Sequence, residues 1–477
     1  MLVPLLDILQ SIPVLGFLSI TVTAFIALFR GSLLGLEAAS IFAIFTGQAW
    51  NMTFSFYQSL RSVPRELDEM ATLYRLSKWE RFTRVELPVS VIGLVWNGMM
   101  SFGGGWFFLA ASEAISVLNR QYTLPGIGSY VAAAIAAKDF HALAWAITTM
   151  IVLILFIDQL FWRPLVTVAD RYKIELSAGE VRHFWLVDLW RSSSLPRYLQ
   201  ALAGPAVRGL DRMLSKATVV PTTARRDRPS KTGDLIYNAV LFVISLGLLV
   251  AAIRFVLSAV GIAEVGHAAL LGLATGGRVI VLLIFSTIVW TPIGVAIGFS
   301  PKLARISQPI VQILASFPAN FLFPFATLGF IKLGLTLNWG SMLLMALGAQ
   351  WYILFNVIGG AQSIPNDLRE MATSIGLRRS REWKALIGPG IFGSWVTGAI
   401  TASGGAWNAS IVSELVSWGN TTLKANGLGA YISEATTKGD WPRIVLGVGL
   451  MSMFVVGLNR IVWRPLYKLA ESRYQLS

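Results

Sequence analysis

Apolar residues in this chain come in long uninterrupted runs and do not alternate with polar ones. The charge-poor windows are Ile8–Phe29, Ala38–Leu60, Leu87–Ser112, His141–Ile157, Leu235–Ile253, Val279–Pro301, Ile306–Ile331, Leu333–Asn366, Ala385–Ser413 and Ile444–Asn459. A helix rises 1.5 Å per residue, so about 20 apolar residues cross a hydrocarbon core. Continuous runs suit helices, which satisfy their own backbone hydrogen bonds in lipid, whereas a membrane barrel needs strict alternation. The pattern predicts an all-α polytopic membrane protein with about ten transmembrane helices. Phe161–Trp162 and Ile461–Trp463 extend the shorter windows with side chains suited to the membrane interface.

Polar residues concentrate in islands. Two of them, "ELDEMATLYRLSKWERFTRVELP" (Glu66–Pro88) and "DLREMATSIGLRRSREWKALIGP" (Asp367–Pro389), resemble each other. A shift of 301 positions brings Trp50 onto Trp351, Pro64 onto Pro365, Glu69–Thr72 onto Glu370–Thr373 and Pro88 onto Pro389. The same shift carries Gly103-Gly104, Trp106, Ser112-Glu113, Gly126, Gly128 and Trp162-Arg163-Pro164 onto identical residues. With a small gap, "ILQSIP" (Ile8–Pro13) matches "ILASFP" (Ile313–Pro318). A shared bias toward Leu, Ala and Gly does not align Trp, Pro and Glu in one register, so the chain is duplicated. The expected organisation is a first repeat at 1–170, a basic linker at 171–233 and a second repeat at 234–477.

The first repeat shows four spans and the second six. Both counts are even, which orients the repeats alike, parallel about an axis along the membrane normal. Either the first repeat has lost two helices or the chain starts at an internal methionine; the latter is the expectation, with two further spans encoded upstream. Basic residues give the topology. The linker, both islands, Pro301–Arg305 and the tail after Arg464 all carry Lys or Arg and fall on one side, which the positive-inside rule makes cytoplasmic. Arg30 and Lys332 then face outward. Within the linker, "FWLVDLWRSSSLPRYLQALAGP" sets Phe184, Trp185, Leu189, Trp190, Leu199 and Leu202 among basic and polar residues, as an interfacial amphipathic segment would. "ATVVPTTARRDRPSKTGD" after it reads as a flexible connector.

Composition narrows the function. Hydrophobic residues make up 55% and the mean hydropathy is +0.64. The net charge of +14 points to the cytoplasmic loops, not to nucleic acid, because half of it lies between Arg163 and Lys231. No cysteine is present, and the three histidines (His141, His183, His267) have no metal-ligand spacing. The sequence has no phosphate-cradling loop, dinucleotide fingerprint or nucleophile elbow, so covalent chemistry, a cofactor and a metal centre are not expected.

The islands carry, each in part, the pattern Glu-x-Ala, three residues, glycine, and then a Phe-x-x-Val-x-Leu-Pro ending. This resembles the "EAA" loop of ABC importer permeases, which in that family is the coupling helix seated in a cleft of the ATPase subunit. The first copy keeps Glu69, Ala71, Phe82, Val85, Leu87 and Pro88 but has Arg75 at the glycine position. The second keeps Glu370, Ala372, Gly376 and Pro389 but has Leu386 and Gly388 in the ending. A second marker resembles the nitrate/taurine/sulfonate-type permeases. Trp106 and Trp407 each precede a glutamate, Glu113 and Glu414, by seven residues, and Gly126-x-Gly128 and Gly427-x-Gly429 follow. The glycines are expected to let one helix from each half approach closely. A glutamate at membrane depth must be paired or face water. Trp106, Glu113, Trp407 and Glu414 therefore either line or gate a translocation path, or serve as interface anchors and inter-helix contacts.

The resemblance implies a type I importer-like permease in a prokaryotic inner membrane, with both copies fused in one chain. It implies cytoplasmic ABC ATPase subunits, which hydrolyse the ATP, and an extracytoplasmic solute-binding protein as partners beside membrane lipid. The implied cargo is a small oxyanion such as nitrate, sulfonate, taurine or bicarbonate. The alternative from another class is a secondary transporter or channel without ATPases, against which the near absence of charge within the spans weighs.

Overall fold

The computed structural model describes residues 13–29, 32–61, 63–117, 120–172, 184–218, 231–377 and 380–473. The first repeat runs α1 (Val14–Leu28), α2 (Leu33–Arg61), α3 (Arg65–Leu73), α4 (Lys78–Arg81), α5 (Leu87–Glu113), β1 (Ala114–Val117), β2 (Arg120–Thr123), α6 (Ile127–Ala137), α7 (Phe140–Ile157) and α8 (Arg163–Ala169). The linker holds α9 (Trp185–Ser192) and α10 (Leu195–Ala217). The second repeat opens with α11 (Lys231–Ala259), α12 (Ile262–Phe299) and α13 (Pro301–Ser316). It continues with α14 (Phe323–Leu333), α15 (Leu337–Gln362), α16 (Asn366–Ser374), α17 (Ser380–Glu382) and α18 (Gly388–Ser413). It closes with β3 (Leu415–Trp418), β4 (Thr421–Lys424), α19 (Leu428–Lys438), α20 (Trp441–Leu458) and α21 (Arg464–Arg473).

The duplication is written into the element boundaries. Adding 301 to the bounds of α3, β1, β2, α6 and α7 returns those of α16, β3, β4, α19 and α20 residue for residue. Each repeat therefore places the same short helix, long span, hairpin and 11-residue helix in the same order.

Eight helices among the described residues are long and apolar enough to cross a membrane, and nine if the bent pair Ile310–Ser316 and Ala319–Leu333 is one span. That pair turns through 84°, so the expected window Ile306–Ile331 is not a straight rod. Pro318 lies at the break, and a proline removes a helical N–H while disfavouring the α conformation of the residue before it. Its counterpart Pro13 caps α1, which has only 15 residues; most of "ILQSIP" lies outside the described residues. The span expected at Val279–Pro301 begins earlier, at Ile262, because the helix continues through Arg278. Most of the expected flexible connector, residues 219–230, also lies outside the described residues, and Lys231–Asp234 form the first turn of α11.

Among the described residues, four π turns punctuate the long helices: Phe82–Glu86, Asp158–Trp162, Trp383–Ile387 and Asn459–Trp463. Each ends two residues before a proline, namely Pro88, Pro164, Pro389 and Pro465. A proline inside a helix cannot donate to the carbonyl four residues back, and its ring collides with that carbonyl. Widening the preceding turn lets the helix continue. The Leu-Pro ending of the first island and the Trp-Arg-Pro motif thus share one structural role. Through these turns the helical runs extend over Lys78–Glu113, Phe140–Ala169, Ser380–Ser413 and Trp441–Ala470.

The two hairpins were not anticipated by an all-α reading. β1 pairs antiparallel with β2, and β3 with β4. In the second, Gly419-Asn420 makes the two-residue turn, with Gly419 at φ +56°, the left-handed conformation such turns require. Runs of four residues are too short to carry a readable alternation.

Compactness divides the chain into one unit of residues 1–47, 103–151 and 252–477 and another of 48–102 and 152–251. In the first, small residues bring backbones close: Gly398 lies against Tyr352 and Asn356, and Gly360 against Ser394. Met345, Ile353, Val357, Ala402 and Trp407 form the centre of its core. In the second, Asn97 donates to Ser55 Oγ at 3.0 Å, and Trp162 packs on Gly98 and Phe102.

Candidate functional site

Both charged islands fold as a short helix closed by a left-handed residue. Pro64 and Pro365 start α3 and α16 in almost the same backbone conformation, φ −55° with ψ 140° and 139°. The stop is a reversed turn in which Leu76 N–H donates to Ala71 O at 3.0 Å and Leu377 N–H to Ala372 O at 2.9 Å. That turn needs positive φ, found at Arg75 (51°) and at Gly376 (73°). Glycine adopts it without steric penalty, whereas a left-handed residue with a Cβ costs about 1–2 kcal/mol. Ala71 and Ala372 are buried because each helix rests on its alanine, and Glu69 and Glu370 project into the open. Beside them Met70, Leu73 and Tyr74 on the first island, and Met371 and Ile375 on the second, are exposed apolar side chains. Leu87, Pro88 and Pro389 are half-buried where the π turns pass into α5 and α18.

At the far end of α18 lies a closed polar network. Glu414 is fully buried, and both of its oxygens are saturated. Oε1 accepts from Arg278 Nη1 at 2.6 Å and from Thr275 Oγ1 at 2.8 Å. Oε2 accepts from Gly429 N at 2.8 Å and Ala430 N at 3.3 Å, capping the N-terminus of α19, where orphan N–H groups and the helix dipole favour an anion. Arg278 also donates from Nε to Asn338 O at 2.9 Å and from Nη2 to Asn426 O at 2.9 Å. Thr275 Oγ1 accepts from Leu428 N at 2.9 Å, and Asn338 Oδ1 accepts from Asn426 N at 2.8 Å. One carboxylate thereby ties α12, α15, α18 and α19 together.

The Gly-x-Gly motif is the steric condition for this cap. A Cβ at Gly427 would fall on the Glu414 carboxylate, and one at Gly429 on Ser410 O. In the first repeat a Cβ at Gly126 would meet Glu113, and one at Gly128 would come within 2.6 Å of Ala110 O. The close approach is therefore between neighbouring helices of the same repeat, not one from each half as the sequence suggested. Glu113 is buried like Glu414 and accepts from Gly128 N and Ser129 N. Among the described residues it has no ion pair, and the 301 register maps Thr275 and Arg278 to positions outside this sequence.

Trp407 is buried, its ring stacked on Phe454 at 6.1 Å between centroids and touching the Gly276 position at 3.4 Å. Trp106 is half-buried on α5. The structure thus joins Glu414 to its glycines and sets Trp407 two turns back along α18, packed on α12 and α20. Sequence reasoning missed Arg278, Thr275 and Asn338. A lone arginine inside an apolar helix is costly enough to be a signal, and Arg278 was available as one. On the other side of α19, Tyr431 Oη donates to Glu264 at 3.1 Å, and Arg443 pairs with the same carboxylate at 3.0 Å. Burial, reinforced by Glu264, pushes the Tyr431 hydroxyl above its usual range. Among the described residues no cluster of His, Asp and Glu is arranged to hold a metal.

Comparisons with known proteins agree with this architecture. A nitrate import permease of Leptolyngbya laminosa is 26% identical over 113 residues, covering 24% of this chain and 38% of the relative. A nitrate import permease of Synechococcus elongatus is 25% identical over 174 residues, 36% of this chain and 58% of the relative. The taurine transport system permease of Escherichia coli is 24% identical over 158 residues, 33% and 54% respectively. These alignments span between about two fifths and three fifths of the relatives' own lengths. The family of binding-protein-dependent transport system inner membrane components matches residues 1–161 and 290–462, well over half of the sequence. With one match in each repeat, the chain belongs to that family, as a duplicated, multi-pass membrane protein.

Proposed function

We propose that this chain is the permease of an ATP-driven importer of a small oxyanion, moving its cargo by alternating access. The observation that carries the reading is the pair of islands. Each presents an exposed glutamate and exposed apolar side chains on a short helix, seated through a buried alanine. In the second repeat the island leads through the π turn into a 34-residue helix, Ser380–Ser413, whose end is fixed by Glu414. A helix of that length spans about 50 Å, so a push on the island is delivered to the far side with little loss. ATPase subunits engaging α3 and α16 would tilt these levers, and the halves would rock between inward-open and outward-open states. Glu113 and Glu414 act in this reading as latches that keep the hairpin and the following helix attached to the lever, with Trp106 and Trp407 as packing anchors on the same helices. The oxyanion cargo rests on the relatives, which are permeases for nitrate and taurine.

The test is Glu69→Arg combined with Glu370→Arg. Both sites are exposed, so membrane insertion should be unchanged while co-purification of an ATPase from the host membrane is lost. Retention of the ATPase at the unaltered level would remove the proposal.

A further inference from the structure

Helix α10 has two opposite faces with different tasks. One face holds the first island in place. Trp79 Nε1 donates to Asp211 Oδ1 at 2.9 Å, Trp79 N to Thr218 Oγ1 at 3.2 Å, and Lys78 N to Thr218 O at 3.3 Å. Lys78 and Trp79 open α4, where N–H groups lack helical partners, so the C-terminal end of α10 completes the cap that Ser77 and Glu80 begin. At the Trp79 position the second island has Ser380, which has no indole to make the same tie.

At 100° per residue, Asp211, Leu214 and Thr218 lie within one narrow sector. Tyr198, Leu202 and Met213 occupy the opposite sector, Leu210 lies between the two, and all four are exposed by more than half. Arg208, Arg212 and Lys216, spaced at four residues, run along one border of this apolar stripe and are exposed too. In α9, Trp185, Leu189 and Trp190 are likewise exposed. A stripe of Leu, Met and Tyr bordered by long basic side chains is the pattern of a helix lying in a headgroup layer, apolar side down, with its cations reaching phosphates. The chain itself brings lipid within reach, because these helices lie between two spans, Phe140–Ala169 and Leu235–Ala259.

We propose that α9 and α10 form a binding surface for anionic lipid headgroups, and that through Trp79, Asp211 and Thr218 this surface seats the first island on the bilayer. Opposite faces of one helix are then committed to lipid and to the loop, so that headgroup charge sets the position of α4. The lipid contact is independent of how transport is driven.

The absence of cysteine allows a clean test on the full chain. A nitroxide on Met213→Cys is read in nanodiscs of phosphatidylcholine alone and of an equal mixture with phosphatidylglycerol, with Asp367→Cys on the second island as aqueous reference. At Met213, relaxation by oxygen should exceed relaxation by a water-soluble nickel chelate, and more so with phosphatidylglycerol. Each basic side chain should favour the surface-bound helix roughly fivefold, so Arg208→Gln, Arg212→Gln and Lys216→Gln together shift the balance about a hundredfold toward water. A second label at Lys78→Cys should gain mobility in the same triple variant, and in Asp211→Ala, which removes the acceptor for Trp79, without change at Met213. Chelate access equal to the Asp367 reference in both lipids overturns the proposal. So does shielding that arises only when an ATPase is added, since that would assign the stripe to a protein. An unchanged Lys78 label in both variants would overturn the link to the island.

Discussion

Replacing Glu414 by glutamine tests the latch at a single atom pair. The carboxylate accepts four hydrogen bonds, two on each oxygen, and every donor points inward. A glutamine amide offers one acceptor and one donor group. Whichever way it is turned, its NH₂ faces either Arg278 and Thr275 or the N–H groups of Gly429 and Ala430. Arg278, with only 12% of its side chain exposed, also loses its counter-charge. Breaking a buried pair from one side costs about 3–5 kcal/mol. Glu113→Gln keeps one oxygen to accept from Gly128 N and Ser129 N, loses the charge that strengthens those bonds and breaks no ion pair among the described residues, so its cost should stay below about 3 kcal/mol. Equilibrium unfolding in detergent micelles titrated with dodecyl sulfate measures both. Adding Arg278→Met to the Glu414→Gln background should cost about 1–3 kcal/mol less than adding it to the unaltered chain, because the orphaned guanidinium is then gone. Additive losses, or a Glu414→Gln change smaller than that of Glu113→Gln, would refute the latch.

Gly427→Ala should lower the yield of monodisperse protein, since its Cβ falls on the Glu414 carboxylate, whereas Gly449→Ala, with nothing near it, should leave the yield unchanged in size-exclusion profiles. Pro88→Ala with Pro389→Ala removes the cause of two π turns; return to α geometry would turn each island by about 100° against its span. Uptake into vesicles should then fall while insertion persists, and unaltered uptake would deny the π turns a role. Gly376→Arg introduces about 1–2 kcal/mol of left-handed strain that Arg75 already carries, so it should reduce cargo-stimulated ATPase activity more than Arg75→Gly does. Equal effects would mean that the two islands are interchangeable.

Much of this architecture was readable in advance because it rests on long-period signals. Uninterrupted apolar runs mark the spans, and a fixed 301-residue register of Trp, Pro, Glu and Gly recurs in the element boundaries. The left-handed stop at Gly376 and its strained equivalent at Arg75 follow from the identity of single residues. Short-range devices were not readable. The four-residue hairpins leave no periodicity, and the bend at Pro318 is hidden inside an apolar run. The Gly-x-Gly motif was visible, but the approach expected between the halves lies instead within each repeat. Glu414 was conspicuous in the sequence, yet its partner Arg278 lies 136 residues away on a helix whose other residues are almost all uncharged. Only the tertiary fold brings them together.

The most direct measurement of the central claim is oxyanion uptake, with labelled nitrate or taurine, into vesicles holding the purified chain with ATPase subunits from its host and a solute-binding protein on the opposite side. Uptake should require ATP on the side that bears the two islands, and Glu69→Arg with Glu370→Arg should abolish it without loss of the inserted chain. Transport at the same rate by the chain alone in ATP-free vesicles, or uptake indifferent to the two charge reversals, would contradict the account.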